Sequence, residues 1–65
     1  MNKEEILISL KDLHDELTYC KDYLASDKSK KIWQGKMDKA TEALKALPTR
    51  ENKWVAEEFS NWAKR

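Results

Sequence analysis

The sequence has few of the residues that interrupt or cross-link a chain: one glycine, one proline and one cysteine among 65 residues. A single cysteine excludes an internal disulfide and fits a reducing compartment, so we expect a cytoplasmic protein. So little glycine and proline excludes a flexible linker. No apolar run approaches the roughly 20 residues of a membrane span, and the N-terminal MNKEEILISLK lacks the apolar core and cleavage site of a signal peptide.

The length allows a single domain, residues 1–65, close to the lower limit for a chain that folds alone. Burial of one large apolar side chain contributes roughly 1.5–3 kcal/mol, whereas ordering one residue costs about 1.5 kcal/mol. These terms nearly cancel in so short a chain. Each large apolar side chain therefore matters to folding, and the three tryptophans most of all.

Charge is balanced overall but divided along the chain. The sequence has 13 basic and 12 acidic residues. Residues 1–25 contain three Lys against six Asp and Glu, and residues 26–47 contain six Lys against three. Opposite charge on adjacent segments predicts that the two segments lie side by side.

Apolar residues recur at alternating steps of four and three, which is the spacing of an apolar seam along a helix. Asn2 followed by Glu5 is typical of a helix start, and Ser26 or Asp27 marks a second one. Pro48 stops the second helix, and Thr49 is expected to cap a third. The seams comprise Ile6, Leu10, Leu13, Leu17, Cys20 and Leu24; Trp33, Met37, Ala40, Leu44 and Leu47; and Val55, Phe59 and Trp62.

Three seamed segments joined by short connections predict an all-α fold, a small antiparallel three-helix bundle (up-down-up) with helices over residues 3–25, 27–47 and 50–63. The bundle is expected to place one set of large side chains in a single core: Leu10, Leu13, Leu17, Trp33, Met37, Leu44, Phe59 and Trp62. Trp54 lies about a quarter-turn off the third seam. It either packs on the flank of a neighbouring helix or serves as an exposed anchor for a partner.

The first helix carries a second stripe, nearly opposite its leucine seam, that combines aspartates with large apolar groups. Its members are Ile8, Asp12, Asp15, Tyr19, Asp22 and Tyr23. A solvated face with scattered apolar residues is one interpretation. The functional interpretation is an acidic-aromatic surface that binds a basic protein surface or a second copy in a homodimer.

The second helix presents a basic face with Lys28, Lys31 and Lys39 around Gly35. Such a face is usually only solvated, but it is also the candidate contact with nucleic-acid phosphates. Gly35 destabilises a helix interior by about 1 kcal/mol relative to Ala. It either permits a close backbone approach or marks a segment, residues 26–35, that is partly loop.

No arrangement of residues predicts chemistry, so we expect no enzyme, no cofactor and no metal site. His14 and Cys20 are six residues apart, whereas ligands on one helix need spacings of three or four. His14, on the flank of the seam, is expected to be a partly buried structural residue. The serines lack a paired base, and there is no glycine-rich phosphate loop.

Three functions are weighed. The first is a protein-binding module, an adaptor, inhibitor or antagonist that occupies a partner's surface; in size and style it resembles the small accessory proteins of bacteria and their phages, although no motif names a family. The second is a nucleic-acid-binding regulator, against which Glu57 and Glu58 in the third helix argue. The third, membrane association through Trp54, Phe59 and Trp62, ranks last because the bundle needs those side chains.

Overall fold

The structure is a computed structural model that describes residues 2–64, and within that range it contains helices and no strand. The α-helices are α1 (Lys3–Tyr19), α2 (Asp27–Ala46) and α3 (Thr49–Ala63), with a short 3₁₀ helix, η1, at Tyr23–Ala25 between the first two. The predicted all-α fold, a three-helix bundle, is confirmed.

α1 begins as the sequence predicts and ends earlier. The Asn2 side-chain oxygen accepts a hydrogen bond of 2.8 Å from the Glu5 backbone N–H, as expected of a helix cap. The helix ends at Tyr19, so the prediction of one helix through residue 25 is wrong at its C-terminal end. Antiparallel helices need a connection of about two to five residues, and the predicted boundaries left only residue 26 for it.

The chain therefore leaves the helix at Cys20 and turns through η1 before α2 begins. Leu24, at the centre of η1, is buried where this turn packs on α2. Cys20 was expected in the apolar seam, and this is wrong because the side chain is exposed at the end of α1.

α2 is helical from its first residue, so residues 27–35 contain no loop. The Ser26 hydroxyl oxygen accepts a hydrogen bond of 3.2 Å from the Ser29 backbone N–H, which caps the helix. A Cβ placed at Gly35 would meet no atom within 4 Å. The close backbone approach considered for Gly35 is therefore absent.

Proline separates α2 from α3. Leu47 is extended at φ −72° and ψ 149°, as expected of a residue before proline. Thr49 is already the first helical residue of α3, and the capping position belongs to Pro48, which supplies no side-chain hydrogen bond. The prediction that Thr49 caps α3 is wrong. The Asn52 side-chain amide donates a hydrogen bond of 2.9 Å to the Leu44 carbonyl near the end of α2, which also accepts one from the Leu47 backbone N–H.

The contacts of α1 define the up-down-up topology. Trp33, early in α2, donates its indole N–H to the carbonyl of Leu13, late in α1, at 3.0 Å, so α1 and α2 are antiparallel. The contacts between α1 and α3 follow the same direction along both helices. The Lys3 ammonium lies 4.7 Å from the centre of a Trp54 ring, and His14 packs on Trp62, so α1 and α3 are parallel.

The acidic first segment and the basic second segment do lie side by side, as their charges predict. The ion pair between them joins Lys36 Nζ to Glu16 Oε1 at 3.9 Å, and both side chains are partly exposed. An exposed pair of this kind contributes at most about 1 kcal/mol. Apolar packing, rather than charge, holds α1 against α2.

The core is smaller than the seams predict. The buried apolar side chains are Ile6, Leu7, Leu13, Leu24, Ala40 and Val55. Of the eight large side chains expected in one core, only Leu13 is buried, and Leu17 is 51% exposed. The predicted core is therefore wrong in extent, because the seam's spacing identifies the inner face of each helix and not how closely the neighbouring helices cover it.

α1 lies in the middle of the molecule and packs against both other helices, whereas α2 and α3 approach each other mainly at the end where Pro48 joins them. Near that end, Leu44 and Leu47 pack on the buried cluster of Ile6, Leu7 and Val55. The Cα atoms extend over 37 × 26 × 12 Å, so the bundle is flat.

Candidate protein-binding surfaces

Four residues of the predicted acidic-aromatic stripe lie together on α1: Ile8, Asp12, Asp15 and Tyr19. We call them the outer face, because helical spacing places them opposite the side on which α1 contacts α2 and α3. Ile8 is 57% exposed and Tyr19 is 80% exposed. Asp12 is exposed and Asp15 half-buried. The outer face therefore presents two carboxylates with one large side chain before them, Ile8, and one after them, Tyr19.

The other two predicted members, Asp22 and Tyr23, lie beyond the end of α1. Asp22 precedes η1 and Tyr23 is its first residue. Both side chains are exposed. Since the chain is not helical between Tyr19 and Tyr23, the periodicity that placed all six residues in one arc does not extend to these two.

Trp54 packs on the flank of its neighbours, which is one of the two alternatives left open by the sequence. It is half-buried against the Ile6, Leu7 and Val55 cluster. Its other surface lines an open depression beside Lys3, which lies over the ring, and Arg50. No residue of the outer face lines that depression. Trp54 therefore does not extend the outer face.

The basic face of α2 is solvent-exposed as expected. Lys28, Lys31 and Lys39 are all exposed, and none forms an ion pair within 4.0 Å among residues 2–64. Lys39 borders a shallow groove with Asp12 and Glu16 of α1. These carboxylates would weaken the attraction of a phosphate to Lys39.

A third surface, missed by the sequence analysis, is an apolar groove between α2 and α3 with α1 as its floor. It has a volume of about 180 Å³ and no exposed polar surface in its lining. Its lining consists of Leu10, Leu13, Leu17, Trp33, Met37 and Phe59, with His14 on the wall. These are the residues that the sequence assigned to the core. The sequence did contain one indication of this groove, because α3 has only 15 residues with which to cover an α2 of 20 residues.

His14 lies at the side of the groove where α1 contacts α3. Its ring lies edge-on to Phe59 at 5.9 Å and to Trp62 at 5.2 Å between ring centres. Lys11 Nζ lies 5.6 Å from the centre of a Trp62 ring. The expectation of a partly buried structural histidine fits this position, and the ring contacts hold α3 against α1.

Comparison with family models, with curated proteins and with solved structures gives no match. Between residues 2 and 64, no three His, Cys, Asp or Glu side chains are grouped to hold a metal ion. In the same part of the chain no helix is both long and apolar enough to traverse a lipid bilayer.

Proposed function

We propose that this protein is a non-enzymatic binding module that acts by occupying the surface of another protein through the outer face of α1. The observation that carries the proposal is the exposure of Ile8 and Tyr19, at 57% and 80%, on a helix face that the fold does not use. Folding gains nothing from large side chains in water. A partner's surface would bury both of them.

The chemistry of the outer face indicates the kind of partner. Tyrosine offers a large, rigid ring with little side-chain entropy to lose on binding. Asp12 and Asp15 lie between the two large side chains, and the whole segment 1–25 has an excess of acidic residues. Such charge accelerates encounter with a basic surface and makes the association weaken as salt increases. We therefore propose a partner with a basic surface around an apolar pocket.

We place this binding in the cytoplasm, because the exposed thiol of Cys20 is chemically suited to a reducing compartment. Inhibitors, antagonists and adaptors all act by occupying a surface in this way.

The test is affinity capture from the lysate of the native host, followed by mass spectrometry and by measurement of affinity with the purified partner. The Ile8→Ala/Tyr19→Ala double variant is expected to lose the partner, since both side chains are exposed and their removal leaves the core intact. Ile32→Ala, which alters an exposed side chain on α2, is the matched control and should bind normally.

Affinity for the partner should also fall as ionic strength rises. Recovery of the same partner at the same affinity by the double variant would place the contact elsewhere. A Tyr23→Ala variant, measured alongside, decides whether η1 contributes to the contact.

A second candidate is a nucleic-acid-binding regulator, which the common exposure of Lys28, Lys31 and Lys39 on one face of α2 favours. It ranks below protein binding because the predicted set on this face, which consists of lysines alone, includes no arginine or aromatic residue as a stacking platform. Binding to random-sequence DNA that weakens steeply with salt, and that Lys28→Ala/Lys31→Ala removes, would support it.

A further inference from the structure

The depression beside Trp54 brings an indole ring and several basic side chains together. One side of Trp54 packs on the buried cluster of Ile6, Leu7 and Val55, which fixes the ring in place. The other side lines a depression of about 600 Å³. Sites for small molecules have volumes of about 300–1,000 Å³. A fixed aromatic ring in a depression of this size is a preformed surface on which a planar ligand can stack.

The basic side chains of the depression come from two helices. Lys3 lies at the start of α1, whereas Arg50 and Lys53 lie in the first turns of α3. None of the three forms an ion pair within 4.0 Å among residues 2–64. An anionic group bound beside the indole is therefore attracted by three cations that are not already neutralised by a carboxylate.

Two carboxylates, those of Glu51 and Glu57, also line the depression, so its three positive charges exceed its negative charges by one. This mixture disfavours a ligand that is only an anion, such as inorganic phosphate. Carboxylates accept hydrogen bonds from amino groups of the kind that adenine, guanine and cytosine carry. A ligand that combines a planar ring, an amino group and a phosphate matches every group in the depression.

We propose that this depression binds a nucleotide, with the base stacked on Trp54 and the phosphate beside Arg50 and Lys53. The site lies apart from the outer face, so it adds a second ligand and does not depend on the proposed protein partner. It also provides the stacking platform that the predicted lysine set of α2 lacks. A free nucleotide and a nucleotide within a single-stranded nucleic acid share this chemistry, and the experiment below distinguishes them.

Lys3 has to move when a base stacks on Trp54. Its ammonium lies 4.7 Å from the centre of a Trp54 ring in the free protein. The base replaces the ammonium, because stacking of a base on an aromatic ring is stronger than a cation–π contact at an exposed site. The flexible lysine stem then allows the ammonium to turn towards the phosphate. Lys3 therefore covers the ring before binding and contributes to the affinity afterwards.

The test is the binding of a labelled, mixed-sequence single strand of about eight nucleotides, measured by fluorescence anisotropy at low salt. Trp54→Leu keeps an apolar side chain on the core and removes the stacking surface, so its affinity should fall about 5- to 150-fold. Arg50→Ala/Lys53→Ala should bind more weakly and with a smaller dependence on salt. Lys28→Ala/Lys31→Ala is the matched control, because it removes the same charge from α2, and it should bind as the wild type does.

Two further titrations identify the source of the nucleotide and separate this site from the outer face. If AMP displaces the labelled strand, the ligand is a free nucleotide. If AMP at millimolar concentration does not displace a strand that binds through Trp54, the ligand is single-stranded nucleic acid. The Ile8→Ala/Tyr19→Ala double variant should bind the strand normally, so the loss of the protein partner does not affect this result.

The proposal is overturned if neither AMP nor the strand binds at millimolar concentration. It is also overturned if Trp54→Leu, shown to be folded by circular dichroism, binds as the wild type does. Displacement of the strand by poly-glutamate at an equal concentration of negative charge would show that the depression recognises charge without a base. Should Trp54→Leu not fold, Arg50→Ala/Lys53→Ala decides, because it changes only exposed side chains. Unchanged affinity and salt dependence in that variant contradict the site.

Discussion

His14 carries the one buried side-chain polar atom that lacks a hydrogen-bond partner among residues 2–64, its Nδ1. The nearest acidic group, Asp15 Oδ1, is 4.0 Å away, beyond hydrogen-bond distance. A buried polar atom without a partner costs about 1–3 kcal/mol. The edge-on contacts of the ring with Phe59 and Trp62 contribute roughly 0.5–1.5 kcal/mol each and offset this cost.

Replacement of His14 by phenylalanine should therefore stabilise the protein. His14→Phe keeps a ring against Phe59 and Trp62 and removes the unpaired nitrogen, so we expect an increase of about 1 kcal/mol in the free energy of unfolding. Urea denaturation followed by circular dichroism measures it. His14→Ala, which removes the ring as well, should destabilise by about 1–2 kcal/mol. A His14→Phe protein less stable than wild type would mean that the imidazole makes an interaction that phenylalanine cannot.

Among the helices, α2 contains a destabilising residue, Gly35, in its interior. The residue has a negative φ within a continuous helix, and the space around its Cα is open. Gly35→Ala is expected to stabilise the protein by about 1 kcal/mol, through helix propensity and the lower entropy of the unfolded chain. The measurement is the midpoint of thermal or urea unfolding.

Glu42→Ala, at another exposed position of α2, is the control for this prediction and should change the free energy of unfolding by less than about 0.5 kcal/mol. If Gly35→Ala gave no gain in stability, the prediction would be wrong, and the open space around position 35 would have to be occupied in solution.

The end of α1 shows why residue spacing alone does not fix the boundary of a helix. Leu24 continues the four-three spacing of Ile6, Leu10 and Leu13, so a helix through residue 25 satisfies the pattern. The turn through η1 buries Leu24 equally well. Local spacing cannot distinguish the two, because the choice depends on how much chain is needed to reverse direction and pack α2 on α1.

For the molecule as a whole, two isoleucines on α1 provide a direct comparison between a core position and a surface position. Ile6 is fully buried and Ile8 is 57% exposed, two residues apart. Ile6→Ala should cost about 2–5 kcal/mol, enough to unfold much of so small a domain. Ile8→Ala should change stability by less than about 0.5 kcal/mol. Thermal unfolding at one low protein concentration compares them.

Equal effects of the two substitutions would contradict the assignment of inner and outer faces on α1. The comparison is sharp because the residue type, the helix and the change are the same, so only the environment of the side chain differs.

The candidate surfaces divide in the same way between what was predictable and what was not. The outer position of Ile8, Asp12 and Tyr19 follows from residue spacing on one helix, and their exposure agrees. The placement of Tyr23 failed because it required α1 to continue. The groove was not predicted, since the residues that line it have the composition and spacing of a core, and only the short α3 indicated that they would be incompletely covered.

By itself the sequence determined the fold class, the number of helices, the capping of α1 and α2, the stop at Pro48 and the inner face of each helix. All of these depend on residues within a turn or two of one another, where 100° per residue and the chemistry of caps decide the outcome. Only the tertiary structure decided that Leu17, Trp33, Met37 and Phe59 border an open groove. The depth of burial depends on the angles and distances between helices that are far apart in sequence, and α2 and α3 diverge where a closed bundle would bring them together.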